Sequence, residues 1–386
     1  MKIALVHDYL REYGGAERVV EALHEMWPDA PLYTSFVDWK SLGSQAYRFK
    51  GWDIRPSWVQ GNWLVKKFHS PLRFLAPKIW ESFDLSGYDL VISSSGWFMC
   101  RGVRTKRAEV VPIKSGLPAH NGALHICYIH HPPRNLYGYA TGSDLQKYWP
   151  VRLYAAIVNF FLRHYDFETA QRVDFFIANS QETARRVQKF YRRDSTVIYP
   201  PVEVGDSSKG IVVKGKKTYF LSVGRLTYAK RVDLAIAACN KLKLPLKIVG
   251  TGKEEAYLHS IAGPTIEFVG AVTDEELSGL YSGAKALLFC ALDEDFGMVP
   301  VEAMAHGAPF IGLGQGGVLE TVVDGKTGIL YKESTPESLI QAMKYFDVSI
   351  DRSIMEKACI AQAKKFSKER FKKELTAFVT AHMRLP

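Results

Sequence analysis

The sequence predicts an α/β protein of two domains, each built on a parallel β-sheet with helices on both faces. Three observations carry that expectation. The chain has 386 residues, more than one core usually serves, so two domains are the natural division. Short, continuously apolar runs of strand length alternate with helix-type segments through both halves, the pattern of parallel strands joined by helical crossovers. An apolar fraction of 47% beside 23% charged residues excludes a disordered or fibrous chain.

In the first half the strand-type runs are 3–7, 89–93, 124–129, 174–179 and 196–199. Gly14-Gly15 separates the first of them from a helix-type segment at 16–26, and Ser180 is placed to cap a helix over 182–191. The second half repeats the rhythm more regularly. Strands are expected at 219–223, 246–249, 266–269, 286–290, 309–312 and 328–331, and helices at 231–242, 254–261, 274–282, 299–306 and 318–323. A stretch rich in Gly, Ser and Lys runs from Pro200-Pro201 to Gly215 and reads as the boundary. The expected division is therefore a first domain at 1–203, a second at 204–366, and a terminal helix at 367–386. Phe371, Leu375, Phe378 and Val379 share one face of that helix, which suits packing back on the first domain.

Charge is uneven along the chain. Fifty Lys and Arg against forty Asp and Glu give +10, and residues 1–200 hold 26 basic and 18 acidic side chains, so the excess belongs to the first half. Such a bias suits an anionic partner. The five cysteines are scattered, without a C-x-x-C pair, and read as small core residues rather than a disulfide or zinc framework. The N-terminal run turns polar too early for a signal peptide. The longest apolar stretch, 153–162, is interrupted by Asn159, flanked by Arg152 and Arg163, and half as long as a membrane span. A cytoplasmic protein without an integral span is expected.

The densest chemistry lies at Glu294-Asp295-Phe296-Gly297-Met298-Val299-Pro300-Val301-Glu302, between an expected strand and a helix with Pro300 in its first turn. Ligands of parallel sheets bind beyond the carboxyl ends of strands, where helix N-termini offer N–H groups and a positive dipole end. The N–H groups of Gly297, Met298 and Val299 are so placed, and Glu294 and Glu302 are good acceptors for vicinal hydroxyls. By themselves two glutamates around a strand–helix loop are an ordinary surface feature. A second cluster, Gly224-Arg225-Leu226-Thr227-Tyr228-Ala229-Lys230, follows the strand at 219–223; a guanidinium and an ammonium there suit a diphosphate. A third, Gly250-Thr251-Gly252, begins a dinucleotide fingerprint whose third glycine position is Glu255, which speaks against a nicotinamide cofactor. His130-His131 lacks carboxylate or cysteine partners at metal-ligating spacing.

Together these elements resemble the retaining glycosyltransferases of family 4: Gly224-Arg225-Leu226 with Lys230, Glu294 and Glu302 eight positions apart before Ala303-Met304-Ala305, and Gly316-Gly317 with Glu320. In the first half, Gly14-Gly15-Ala16-Glu17-Arg18 is similar to that family's glycine-rich loop, and Asn179-Ser180 and Tyr199-Pro200-Pro201-Val202 are familiar from it. Cys127-Tyr128-Ile129-His130-His131-Pro132-Pro133-Arg134 resembles a mannosyltransferase-like branch of bacterial surface-polysaccharide synthesis. The resemblance implies the GT-B fold, two Rossmann-like domains facing across a cleft, and a nucleotide-sugar donor with no required metal or other cofactor. It assigns Arg225 and Lys230 to the donor diphosphate and Glu302 to the ribose hydroxyls. Glu294 and the N–H groups from Phe296 to Val299 hold the donor sugar, which His130 approaches from the first domain. Gly15 admits the backbone close to the reacting centre. Transfer with retention proceeds on one face of the sugar without a protein nucleophile, unlike the two-carboxylate hydrolases. Two departures stand out. Arg101-Gly102-Val103 occupies the place of a Lys-Gly-Val, and the segment 104–123 is longer and richer in glycine than the family pattern.

The acceptor side is read from composition. Residues 45–80 hold Arg48, Lys50, Arg55, Lys66, Lys67, Arg73 and Lys78 against Asp53 alone, interleaved with Trp52, Trp58, Trp63 and Trp80. Basic and aromatic residues so mixed serve single-stranded nucleic acid or an anionic membrane interface. With a lipid-linked saccharide as acceptor the membrane is the better fit, and Trp58, Trp63, Lys66, Lys67 and Arg73 are its expected contacts. The expected whole is a cytoplasmic, membrane-peripheral hexosyltransferase, with GDP-mannose favoured and a UDP-sugar the alternative. The rival of another class is a non-catalytic nucleic-acid or sugar-binding protein, which leaves the second-half cluster unexplained.

Overall fold

Every residue of β1 (Ile3–His7) is buried, because its alternate side chains enter two different cores. Ile3 and Leu5 join one, with Val19, Val20 and Leu23 of the helix Gly15–Met26; Ala4 and Val6 join the other, with Ile79 and Trp80. A strand apolar at consecutive positions needs cover on both faces, and a parallel sheet between helix layers supplies it. The computed structural model describes residues 1–106, 122–141, 148–204, 217–349 and 351–383. Most of the 104–123 segment, and the linker beyond 204, lie outside these.

The chain divides into two compact units: residues 1–138, 150–201 and 369–386 form the first, and residues 139–149 and 202–368 the second. The first holds a seven-stranded parallel sheet. β2 (Leu32–Thr34), β3 (Ile54–Pro56), β4 (Leu90–Ser95), β5 (Leu124–Ile129), β6 (Phe175–Ala178) and β7 (Thr196–Val197) join β1 in the order β3-β2-β1-β4-β5-β6-β7. β2 and β3 are additions to the expected strands. Each is three residues long and is defined by parallel pairing, Leu5 beside Leu32 and Leu32 beside Ile54, rather than by a local pattern.

The second unit holds β8 (Tyr219–Val223), β9 (Leu246–Val249), β10 (Ile266–Gly270), β11 (Ala284–Phe289), β12 (Phe310–Leu313) and β13 (Gly328–Tyr331), in the parallel order β10-β9-β8-β11-β12-β13. These strands and the helices Val232–Leu242, Glu255–Ile261, Asp274–Gly283 and Met298–Ala305 fall within two residues of the expected bounds. The chain's last helix, Lys368–Met383, packs in the first unit, as its spacing predicted. Phe371, Leu375 and Val379 are buried in the core with Ile3 and Leu5, and Phe371 meets the Tyr128 ring edge-on at 5.8 Å. Fully burying a side chain of that size stabilises by about 1.5–3 kcal/mol, so this helix is part of the first unit's core. All five cysteines are buried and unpaired with one another.

Candidate active site

The second sheet reverses its winding between β8 and β11, so the loops leaving their carboxyl ends diverge and open a crevice, the usual ligand position in such sheets. β8 runs out into Gly224-Arg225-Leu226 and then a single turn, Tyr228–Lys230. β11 runs out into the loop that carries Glu294. The two loops are tied together: Lys230 Nζ donates to Glu294 Oε2 at 2.8 Å, and Leu292 N–H to the Ala229 carbonyl at 2.8 Å. Lys230 also lies 5.2 Å from the centroid of the Phe289 ring. Arg225 is exposed at the end of β8. A cation and a carboxylate thus face one another where a diphosphate and a sugar would need opposite partners.

Gly297 sets the next step. Its φ of +91° lets the chain turn left-handed into the helix Met298–Ala305, a conformation costly for any residue with a Cβ. Met298 and Val299 then lie in the first turn, where N–H groups have no carbonyl of their own helix to meet. Gly317 holds this loop from the far side. It donates its N–H to the Glu294 carbonyl at 2.9 Å, and a Cβ there would come within 2.3 Å of the Asp295 carbonyl oxygen. Glu302, on the same helix, is 7% exposed and accepts a hydrogen bond from the Tyr281 hydroxyl at 3.1 Å. His306 stacks over Tyr281 and is held in turn by Ser278 at 2.8 Å. The carboxylate is therefore fixed by a neighbouring helix, not only by its own.

In the first unit the winding reverses between β1 and β4, and a second polar group gathers there. His7 Nε2 lies 3.3 Å from Glu17 Oε1, and His7 Nδ1 lies 3.2 Å from the Ser94 carbonyl. Burial acts to lower the His7 pKa, but the Glu17 hydrogen bond and charge, with Asp8 nearby, raise it above the usual imidazole value. Burial acts to raise Glu17, and its bond to His7 more than reverses that. The two form a buried hydrogen-bonded pair, and Glu17 Oε2 also accepts the Gly14 N–H at 2.9 Å. That contact fixes the turn from which Gly15 opens its helix. His130 sits at the end of β5, buried, its Nε2 2.7 Å from Ser94 Oγ. His131 instead has Nδ1 3.0 Å from the Pro132 carbonyl.

Residues 13–206, half of the chain, match the model of Glycosyltransferase Family 4, and residues 205–366 match that of Glycosyl transferases group 1. The chain belongs to glycosyltransferase family 4. Human alpha-1,3/1,6-mannosyltransferase ALG2 is 28% identical to the family 4 chain over 266 residues, 59% of this chain and 62% of that one. An uncharacterized glycosyltransferase of Methanocaldococcus jannaschii is 31% identical over 34% of this chain and 36% of its own length. The matched region thus spans less than two thirds of these relatives. Among solved structures, sucrose-phosphate synthase from Thermosynechococcus elongatus aligns with a TM-score of 0.70 at 16% identity, covering 99% of each chain. Anabaena Alr3699/HepE in complex with UDP and glucose aligns at 0.66 and 17%, covering 98% of this chain and 99% of that one. These likenesses establish the GT-B fold.

The family 4 chain places Arg225, Lys230, Glu294, Phe296, Gly297, Met298, Val299 and Glu302 in the second unit, with Lys230 joined to Glu294, and places Gly15 and His130 in the first. The aromatic-basic segment divides. Trp58 and Trp63 are 56% and 64% exposed, Lys67 is exposed and Lys66 half-buried. Arg73 departs from its expected surface role: it is buried, donating to Asn159 Oδ1 at 2.9 Å and to the Ser70 carbonyl. Trp80 is wholly buried. Arg101, expected as the basic residue after the serine-rich strand, is also internal, ion-paired with Asp166 and hydrogen-bonded to the Tyr191 hydroxyl at 3.0 Å. Tyr281 and His7 carried no sequence signal of their own. Each becomes visible only when the sheet order sets it beside Glu302 or Glu17.

Proposed function

We propose that the chain transfers a hexose, with mannose from GDP-mannose favoured, to a polyprenyl-diphosphate-linked or other lipid-linked saccharide, retaining the anomeric configuration. The observation that carries this reading is the Lys230–Glu294 pair at 2.8 Å across the loops leaving β8 and β11. Lys230 and Arg225 neutralise the diphosphate, including the charge that grows on the leaving nucleotide as the glycosidic bond breaks. Glu294, with the N–H groups from Phe296 to Val299, receives the sugar hydroxyls, and Glu302, steadied by Tyr281, receives the ribose. His130 and Gly15 are the first unit's contribution to the reaction, and no metal is required. The kinship with ALG2, named a mannosyltransferase, supports mannose. A polyisoprenoid acceptor lies in a bilayer, so the enzyme works from the cytoplasmic face as a peripheral protein, with Trp58, Trp63, Lys66 and Lys67 toward the lipid.

The test is product formation from GDP-mannose and a panel of UDP-sugars on a polyprenyl-diphosphate-linked saccharide, with the anomeric configuration read by NMR. Transfer from GDP-mannose with an α-linked product is expected, and His130→Ala and Glu294→Ala are expected to abolish it while folding normally. Transfer from a UDP-sugar alone overturns the donor assignment, and an inverted product overturns the mechanism.

A further inference from the structure

The helix Trp149–Arg172 is apolar on two opposite faces. Its inner face carries Leu162 and Tyr165 into the core beside Ile79 and Trp80. Its outer face presents Leu153, Ile157, Phe160 and Phe161, which are 56%, 55%, 66% and 66% exposed. At about 100° of rotation per residue these four fall within an arc of about 100°, a single stripe. Scattered apolar residues on a surface need no explanation; a continuous stripe with two adjacent phenylalanines does.

The stripe is not isolated. Tyr154 donates its hydroxyl proton to the Pro71 carbonyl, Arg73 lies 5.4 Å from the Tyr154 ring, and Arg73 bonds Asn159. These contacts fix the helix to the 63–75 segment, which exposes Trp63, Leu64, Phe68 and Phe74. Charge separates the occupants such a face could take. Residues 54–80 contain Arg55, Lys66, Lys67, Arg73 and Lys78 and no Asp or Glu, while the exposed side of the helix carries Arg152 and Arg163 and one carboxylate, Glu168, which lies 3.2 Å from His164. A self-complementary protein interface needs the two signs in balance or neither. Apolar and aromatic side chains bordered by a large excess of cations match an anionic bilayer, where rings enter the headgroup–acyl boundary and ammonium groups meet phosphates.

We infer that the outer stripe of the helix Trp149–Arg172, together with the exposed Trp63 and Phe68 of the segment it is fixed to, is the surface by which the first unit docks on anionic lipid. Phe160 and Phe161 are its inserting side chains, and Lys67 and Arg152 its headgroup contacts. The inference deepens the membrane part of the proposed function and rests on it. It names an element outside the tryptophan-rich segment, and it does not depend on which nucleotide is the donor.

The experiment is co-sedimentation of the full chain with vesicles of phosphatidylcholine containing 30% phosphatidylglycerol, and with phosphatidylcholine alone. Thermal stability with and without nucleotide is measured on the same samples. The wild type is expected to bind the anionic vesicles. Phe160→Ser/Phe161→Ser, and separately Leu153→Ser/Ile157→Ser, are expected to bind at least tenfold more weakly, with the nucleotide response unchanged. Lys67→Glu/Arg152→Glu is expected to weaken binding tenfold or more on anionic vesicles. Undiminished binding of both serine variants overturns the inference. So does a wild type that ignores vesicles, or one that forms a dimer dissolved by the serine substitutions, which assigns the face to a second copy of the chain. Vesicle binding without any nucleotide response leaves the docking surface standing and removes the donor reading instead.

Discussion

Replacing Lys230 by Ala separates a structural role from a chemical one. Lys230 and Glu294 are 25% and 17% exposed as side chains, so their ion pair contributes about 1 kcal/mol at most to stability. The ammonium's contact with the Phe289 ring at 5.2 Å adds about 0.5–1 kcal/mol. The whole loss is about 2 kcal/mol, which for a unit of this size lowers Tm by about 4–8 °C. Turnover should suffer far more. A positioned charge lost from the place where leaving-group charge develops costs about 100- to 1,000-fold in kcat. The assay is kcat/KM for sugar transfer at 25 °C beside urea unfolding of the same preparation, with Glu294→Gln and the double variant completing a cycle. Because the two residues serve one bound donor, their effects on kcat/KM should fall well short of additive. Turnover within threefold of wild type refutes the reasoning. A loss of activity explained by unfolding refutes it equally, since Lys230 would then only hold the two loops together.

Three further outcomes follow from other parts of the molecule. Arg101→Ala leaves Asp166 buried without its ion pair, and should lower unfolding free energy by about 3–5 kcal/mol in urea titrations; a change under 1 kcal/mol would mean that water reaches the site. Burial lowers His125 to a pKa of about 4, so the unfolded chain binds this proton first and stability falls as pH drops from 6.5 toward 4. The span corresponds to about 3 kcal/mol, and His125→Gln, which keeps a hydrogen-bonding side chain beside Ser93 Oγ at 2.9 Å, should flatten that limb of the pH–stability curve. Gly317→Ala pushes a methyl group against the backbone of Asp295 and Phe296; about 1–3 kcal/mol of stability should be lost, and nucleotide affinity with it, as titration calorimetry would show.

The sheet of the second unit was legible because each strand is a run of four to six mostly apolar residues, buried in all but the edge strand β10, with its own turn signals, and the sheet order follows the ordinary winding of such units. The positions of Arg225, Lys230 and Glu294 were legible for the same reason, since each lies in a loop beyond the carboxyl end of a recognisable strand, and Glu302 follows on the helix whose first turn holds Pro300. β2 and β3 were not. Three residues carry no period, and Leu32 and Ile54 become strand residues through pairing outward from β1. Arg73 shows the limit of reading charge from composition. It looks like a member of a basic surface, yet it is turned inward by Asn159, far along the chain, as Arg101 is by Asp166. The apolar run at 153–162 was visible as too short for a membrane span. That it splits into an inner face at Leu162 and an outer one at Phe160 and Phe161 depends on which side the core lies.

The central claim is that a nucleoside diphosphate binds at the crevice between the ends of β8 and β11. Thermal unfolding with GDP, UDP, ADP and their sugars tests it most directly. At a hundredfold excess over Kd a ligand of the folded state contributes about 2.7 kcal/mol, which raises Tm by about 5–10 °C for a unit of this size. One nucleotide family, with GDP expected, should produce that shift in the wild type, and Lys230→Ala and Glu302→Gln should each lose most of it. No shift with any nucleotide, or a shift that both variants retain in full, would contradict the claim.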